Sequence, residues 1–418
     1  MSGNTRIAVT TAGLRGSEWG AQPLPDDVRV TVQQLRTSDN ASVPGFLFAR
    51  GTEKTVVCLM HPRELVVASY MVPELLSGGC AVWIQGPRSV GNDLRLEHEK
   101  AVLDMAAGQN FLRNVAGFEK TVLLGISGGG PLAAMYCQQA SLAPDARIRR
   151  SPGGKPTRLE EAQLPPPDGV IFVSAHPGQG IILMNAIDPS VIDEADPFAT
   201  DESLSALNPA NGYVEPPHSS TYAPEFLERY RAGQRERVAR IDAFARSLLA
   251  RKVEARKRAK AGGTREDAVL AAYAPIFEIW RTDADPRFFD LSIDPSERAF
   301  GSLWGADPLI ANYGSIGFAR SCTAESWLSN WSALSSNASM EKCAPAISQP
   351  VLMIEYTADN CVFPADADAI YDQIGSSQKT RHRVHGNHHG QAVSPEFPNG
   401  QKLAGEITRD WLKQLNFA

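Results

Sequence analysis

Ser127 sits in Gly125-Ile-Ser-Gly-Gly-Gly130, a G-x-S-x-G pattern whose neighbouring positions carry no side chains. A serine lifted out of a sharp strand-to-helix turn needs such neighbours, because side chains there would collide with the turn. A serine hydroxyl is a poor nucleophile until a base takes its proton, so the chemistry in view is acyl transfer through a serine, a histidine and an acid. The competing account of the glycines is a phosphate-cradling turn. It lacks both the Lys-Ser/Thr pair and the G-x-G-x-x-G spacing that such turns carry.

The base must lie downstream, and three histidines crowd one segment there, Val384-His-Gly-Asn-His-His-Gly390. His385, His388 and His389 are therefore the candidates. The acid belongs after the preceding strand, where Val351-Leu-Met-Ile-Glu-Tyr-Thr-Ala-Asp-Asn360 offers Asp359, with Glu355 in reserve inside the strand pattern. Asp366 and Asp368 follow Pro364 and read as helix-start residues, Asp366 as the N-cap. Acyl transfer also needs two N–H donors for the oxyanion. Gly128 follows the nucleophile directly. The second donor should come from His61-Pro62-Arg63-Glu64, and since Pro62 has no N–H, Arg63 is the expected one. His61 itself, at a strand end, reads as a structural hydrogen-bonding residue.

Positioning these groups requires strands that end where they begin. Val28 to Leu35 and Val43 to Ala49 read as an opening meander, and Thr55 to Met60 is apolar after its first residue, as a strand buried on both faces should be. Ala81 to Gln85, Thr121 to Leu124, Val170 to Ser174 and Val351 to Glu355 repeat that character, and Arg381 to Val384 adds a short strand before the histidines. Helical patterns intervene at Tyr70 to Leu76, Leu96 to Val115 and Leu132 to Ala140, so a mostly parallel α/β sheet is expected. Ser151 to Asp168, with three consecutive prolines, reads as a surface loop.

The stretch 178–349 is far longer than an ordinary connection and must be an inserted, mainly helical unit. It divides the core into residues 1–177 and 350–418. Its clearest element runs from Pro224 to Lys260, with Leu227, Tyr230, Val238, Ile241, Ala245 and Leu248 along one stripe. The basic end, Arg251 to Lys260, reads as a solvated helix terminus whose cations complement the macrodipole.

Composition narrows the partners. The chain is 43% hydrophobic and 21% charged with a formal net charge of −6, which argues for a globular protein and gives no electrostatic reason to bind nucleic acid or an anionic membrane. A small molecule is the expected partner, and a homodimer is left open. The six cysteines, Cys58, Cys80, Cys137, Cys322, Cys343 and Cys361, show no C-x-x-C spacing, so buried thiols are expected and neither a zinc site nor a disulfide framework; Cys322 and Cys343 could pair only in an exported protein. Met1 to Pro23 lacks the pattern of a secretory signal, and no run approaches the roughly 20 apolar residues that span a bilayer, so a cytoplasmic protein is expected.

Taken together, His61-Pro62 after the third strand, the Gly125 to Gly129 turn, Asp359 and the His388 loop, in the order nucleophile, acid, base, resemble the α/β-hydrolase superfamily over roughly residues 28–177 and 350–418. The resemblance implies the α/β-hydrolase fold, a cap or lid in the inserted position and a hydrolase that uses no cofactor and no metal. Its frequent Gly-Asp-His-Tyr-Gly segment matches Gly386-Asn-His-His-Gly390 when His388 is the base, with His389 the alternative. The inserted region holds Trp280, Trp304, Trp327 and Trp331, four of the chain's seven tryptophans. With His61 and His176, Trp280, Trp304 and Trp327 are the candidates for an apolar or aromatic substrate pocket under the lid, core packing of the insertion being the other account. Hydrolysis of a carboxylic ester or lactone is the leading expectation. A thioester, an amide or a carbon–carbon bond next to a ketone is the second, and a ligand-binding protein on a retired hydrolase fold the third.

Overall fold

Runs of branched and aromatic residues bounded by turn residues become the strands of one central sheet. The computed structural model describes residues 23–91, 93–305 and 307–417. Its strands are β1 (Arg29–Arg36), β2 (Ser42–Ala49), β3 (Thr55–Leu59), β4 (Ala81–Gln85), β5 (Lys120–Ile126), β6 (Gly169–Val173), β7 (Val191–Asp193), β8 (Asp196–Thr200), β9 (Val351–Tyr356) and β10 (Lys379–Val384). Eight of them form the sheet, in the order β1-β2-β4-β3-β5-β6-β9-β10, and β7 and β8 form a separate hairpin. β2 pairs antiparallel with β1 and β4, whereas β4, β3, β5, β6, β9 and β10 run parallel.

Both faces of the sheet are covered, which is why β3, β4, β6 and β9 are buried at every residue. Alternate side chains of β3 divide between them. Val56 and Cys58 join Leu123, Phe172 and Met353 under α2 (His98–Asn114) and α3 (Gly129–Ser141). Val57 and Leu59 join Leu124, Ile171 and Ile354 under α1 (Met71–Ser77) and the C-terminal helix Gly400–Gln414. The crossovers leave the carboxyl ends of the parallel strands on one edge, so the residues just beyond β3, β5, β6, β9 and β10 meet there.

Between β6 and β9 the chain forms α4 (Gln179–Ala186), the β7-β8 hairpin, α5 (Pro224–Lys260) and α6 (Arg265–Ala272), followed by a long stretch with little regular structure. This region has its own apolar cluster, which includes Tyr230, Val238 and Ile241 of α5 with Trp304, Trp327 and Trp331. The basic end of α5 is mostly exposed and makes surface ion pairs, such as Lys257 with Glu254 and Arg258 with Asp267.

Two local expectations change and one holds. The proline-rich stretch is not wholly superficial, because Leu159 and Leu164 are buried in the core beside α3. The cysteines are as expected, all six free and buried, Cys322 and Cys343 included. Asp366 is not an N-cap: Phe363 holds that position at the helix Pro364–Gln373, and the Asp366 carboxylate accepts the Phe363 N–H at 3.3 Å and pairs with Arg287 at 3.0 Å. Residues 1–22, on which the expectation about export rests, lie outside the described residues. No helix among the described residues is long and apolar enough to cross a membrane.

Candidate active site

β5 leads through Ser127 directly into α3, and Ser127 takes the left-handed conformation, with φ of 51°. A non-glycine residue is held there only when its surroundings over-determine it. Its N–H donates to the Val173 carbonyl at 3.2 Å, and its own carbonyl accepts the Gly130 N–H at 3.0 Å. The glycines answer close approaches rather than a need for freedom. A Cβ on Gly125 would lie 2.7 Å from the Gly129 carbonyl oxygen, and one on Gly129 would lie 2.6 Å from the Met60 carbonyl oxygen.

The histidine loop reaches the serine because Asn387 folds it. The Asn387 side-chain oxygen accepts the N–H groups of His389 and Gln391, at 3.0 and 3.1 Å, and the Gly390 N–H donates back to the Asn387 carbonyl at 2.8 Å. A bond from the Ala358 N–H to the Gly386 carbonyl, 3.0 Å, ties this loop to the one that carries Asp359. The outcome is one line of contacts: His388 Nε2 lies 2.9 Å from Ser127 Oγ, and His388 Nδ1 lies 2.8 Å from Asp359 Oδ2.

Asp359 is itself pinned. Its Oδ1 accepts the N–H groups of Cys361 and Val362, at 2.7 and 3.0 Å, and its Oδ2 accepts the Ser174 hydroxyl at 3.0 Å. His388 and Asp359 are buried, so their contact is shielded from competing water. Ser174 has no counterpart among the sequence-based candidates. Its position at the end of β6, one strand from the strand that carries Ser127, was the only available signal. The reserve acid Glu355 is engaged elsewhere, with Arg381 and Arg383 of β10.

The remaining candidates sort by position. His61, Arg63, His176, Trp304 and His389 line a cavity of about 270 Å³ that opens on Ser127 and His388. Trp280 and Trp327 do not. The Trp280 indole donates to Glu278 near the surface, whereas Trp327 is fully buried and donates to Asp242 of α5 at 2.7 Å, inside the insertion's core. Leu65, Val66, Leu303 and Phe318 occupy the apolar wall instead. Arg63 needs a correction as the second oxyanion donor, because its N–H points at the His61 ring, 3.3 Å from Nδ1, and its guanidinium is paired with Asp93. His389 stands edge-on to His388, with ring centroids 5.2 Å apart, and burial lowers its pKa to about 4. Among the described residues no group of three His, Cys, Asp or Glu side chains is arranged to hold a metal ion.

A parallel sheet with β2 reversed, a serine at positive φ between β5 and α3, and an acid and a histidine beyond the last two strands leave one architecture. It is the α/β-hydrolase fold. No family model and no curated protein matches the chain. Among solved structures it is similar to DcsB in complex with its substrate analogue, 12% identical over 92% of this chain and 99% of that one, TM-score 0.49. It is also similar to a hypothetical protein of Pseudomonas aeruginosa, 12% identical over 95% and 99%, TM-score 0.45. A third is the esterase domain of a Rhodothermus marinus protein, 9% identical over 92% and 98%, TM-score 0.42. The fold assignment rests on the strand order and the serine turn.

A third buried histidine besides His176 and His388, His98 at the start of α2, backs this edge. Its Nδ1 lies 3.2 Å from the Ser329 carbonyl oxygen, and burial lowers its pKa to about 4. Because the unfolded chain binds the proton first, His98 costs stability as pH falls through the unfolded value of about 6.5 towards 4. The stability gap between wild type and His98→Gln should therefore shift against the wild type by about 1.4 kcal/mol per pH unit over that window. Urea unfolding of both proteins at pH 7 and pH 5 measures this, and the difference cancels the other titrating groups. A gap independent of pH would rule it out.

Proposed function

We propose that the protein is a serine hydrolase that cleaves a carboxylic ester or lactone of a small, apolar or aromatic molecule through an acyl-enzyme. The observation that carries this reading is the unbroken line from Asp359 through His388 to Ser127 Oγ at the floor of a cavity. In the reaction, Ser127 Oγ attacks the carbonyl carbon while His388 Nε2 takes the hydroxyl proton, and the carbonyl electron pair moves onto oxygen. Asp359 holds the ring with hydrogen on Nδ1 and stabilises the imidazolium. Collapse restores the carbonyl and expels the alkoxide, which takes the proton from His388. Water then repeats the sequence on the acyl-enzyme and releases the acid.

The Gly128 N–H faces the developing oxyanion, since an N-cap amide at the start of α3 has no partner within the helix and sits at its positive end. Residues 178–349 act as the cap in this reading, because Leu303, Trp304 and Phe318 reach the cavity from that segment. Trp304 and Phe318 meet edge to face, 5.1 Å between centroids, and form a wall suited to an apolar or aromatic group.

The test is mass spectrometry after treatment with a fluorophosphonate, together with a panel of aryl esters and lactones. One adduct on the peptide that contains Ser127, and turnover that disappears in Ser127→Ala, are expected. An adduct on another residue, or none, removes the proposal.

A further inference from the structure

In ester cleavage by Ser127 the carbonyl oxygen becomes an anion, and a single amide donor serves it poorly. The loop after β3 is the place for a second amide, yet Pro62 has no N–H and that of Arg63 is spent on His61 Nδ1. That same bond determines the His61 tautomer. A ring nitrogen that accepts a hydrogen bond carries no hydrogen, so the hydrogen of the neutral imidazole is on Nε2.

His176, just beyond β6, is set in the same way: the Gly178 N–H donates to its Nδ1 at 3.2 Å. Burial lowers the pKa of both rings, which keeps them neutral. The two Nε2 atoms then come together beside the residue that follows the nucleophile. A Cβ on Gly128 would lie 2.8 Å from His61 Nε2 and 3.2 Å from His176 Nε2. Both residues line the cavity, and neither Nε2 has a protein acceptor among the described residues. Two neutral donors whose Nε2 atoms gather beside Gly128, on residues that line the same cavity, suit an oxygen that becomes negative there.

We propose that the second oxyanion donor is a side chain, the Nε2–H of His61, assisted by the Nε2–H of His176, in place of a backbone amide from the loop after β3. This rests on the hydrolytic reading above. It makes both imidazoles catalytic residues that touch the reacting oxygen, and it gives His61 a task distinct from the proton transfer of His388. Neutral donors also keep positive charge away from His388 at the moment it becomes an imidazolium.

The experiment compares wild type with His61→Leu, His61→Gln and His176→Leu. It reads kcat and KM on an aryl ester, and affinity for an aryl trifluoromethyl ketone, whose adduct with Ser127 carries the oxyanion. His61→Leu should lose about 10²–10³-fold in kcat with KM nearly unchanged, and ketone affinity should fall in parallel. His61→Gln, which keeps an N–H donor, should recover about tenfold of that loss. His176→Leu should lose less, in the same two quantities. The proposal fails if kcat and ketone affinity of both leucine variants stay within about threefold of wild type, or if only KM changes. Should His61→Leu melt below the assay temperature, the glutamine variant and His176→Leu decide by the same criteria. A wild type that is labelled and active while the variants match it removes only the donor assignment. A wild type that is neither labelled nor active removes the hydrolytic reading and this inference with it.

Discussion

Replacement of His388 by alanine is expected to lower kcat by about 10⁴–10⁶-fold and to abolish fluorophosphonate labelling, whereas His389→Ala should keep kcat within about tenfold of wild type. The two rings are sequence neighbours with different surroundings. His388 Nε2 is 2.9 Å from Ser127 Oγ, and its Nδ1 is oriented by a buried carboxylate. A serine that attacks without that base must lose its proton to water, at the cost of nearly all the acceleration. His389 faces the cavity beside it, with burial lowering its pKa to about 4 and its N–H and carbonyl used to shape the loop. Its loss should raise KM more than it lowers kcat. Single-turnover and steady-state rates for both variants measure this, and labelling that survives in His388→Ala but not in His389→Ala would reverse the assignment.

The second large effect is expected from Asp359→Asn, with kcat down by about 10⁴-fold, KM near wild type and thermal stability little changed. The two backbone N–H groups of Cys361 and Val362 fall on Oδ1, so an asparagine there must keep its carbonyl oxygen towards them. Its NH₂ then faces His388 Nδ1. A ring that accepts at Nδ1 carries its hydrogen on Nε2, where it meets Ser127 Oγ and cannot take a proton. The Ser174 hydroxyl can turn to accept the other NH₂ hydrogen, which is why folding should tolerate the change. Rates of labelling and of ester turnover, measured beside a thermal melt, test it. Activity within tenfold of wild type would show that the carboxylate does not set the tautomer.

Much of this molecule is legible in the order of its residues. The unbroken apolar runs Val56 to Leu59 of β3 and Ala81 to Ile84 of β4 announce strands buried on both faces, because only such strands dispense with alternation. Gly125 and Gly129 announce a close approach of backbone to backbone, which the 2.7 and 2.6 Å Cβ distances express. Pro224 and Gly262 bracket α5, whose bounds, Pro224–Lys260, follow from local helix-start and helix-stop chemistry.

What stayed hidden concerns the direction in which a side chain or an amide points once distant segments meet. Trp280, Trp304 and Trp327 are equivalent in sequence, yet only Trp304 meets the cavity, since Asp242 draws Trp327 into the insertion's core. Pro62 could be struck from the donor set by its covalent structure alone, but the Arg63 amide was lost to a ring two residues away, and no periodicity encodes that bond. Ser174 acquired its partner across 185 residues, and His388 reached Ser127 across 261. Local sequence governs backbone shape and burial period because those depend on steric contacts between near neighbours. Hydrogen-bond partners and tautomers depend on which groups the parallel strands deliver to their common edge, and that is settled only when the sheet closes.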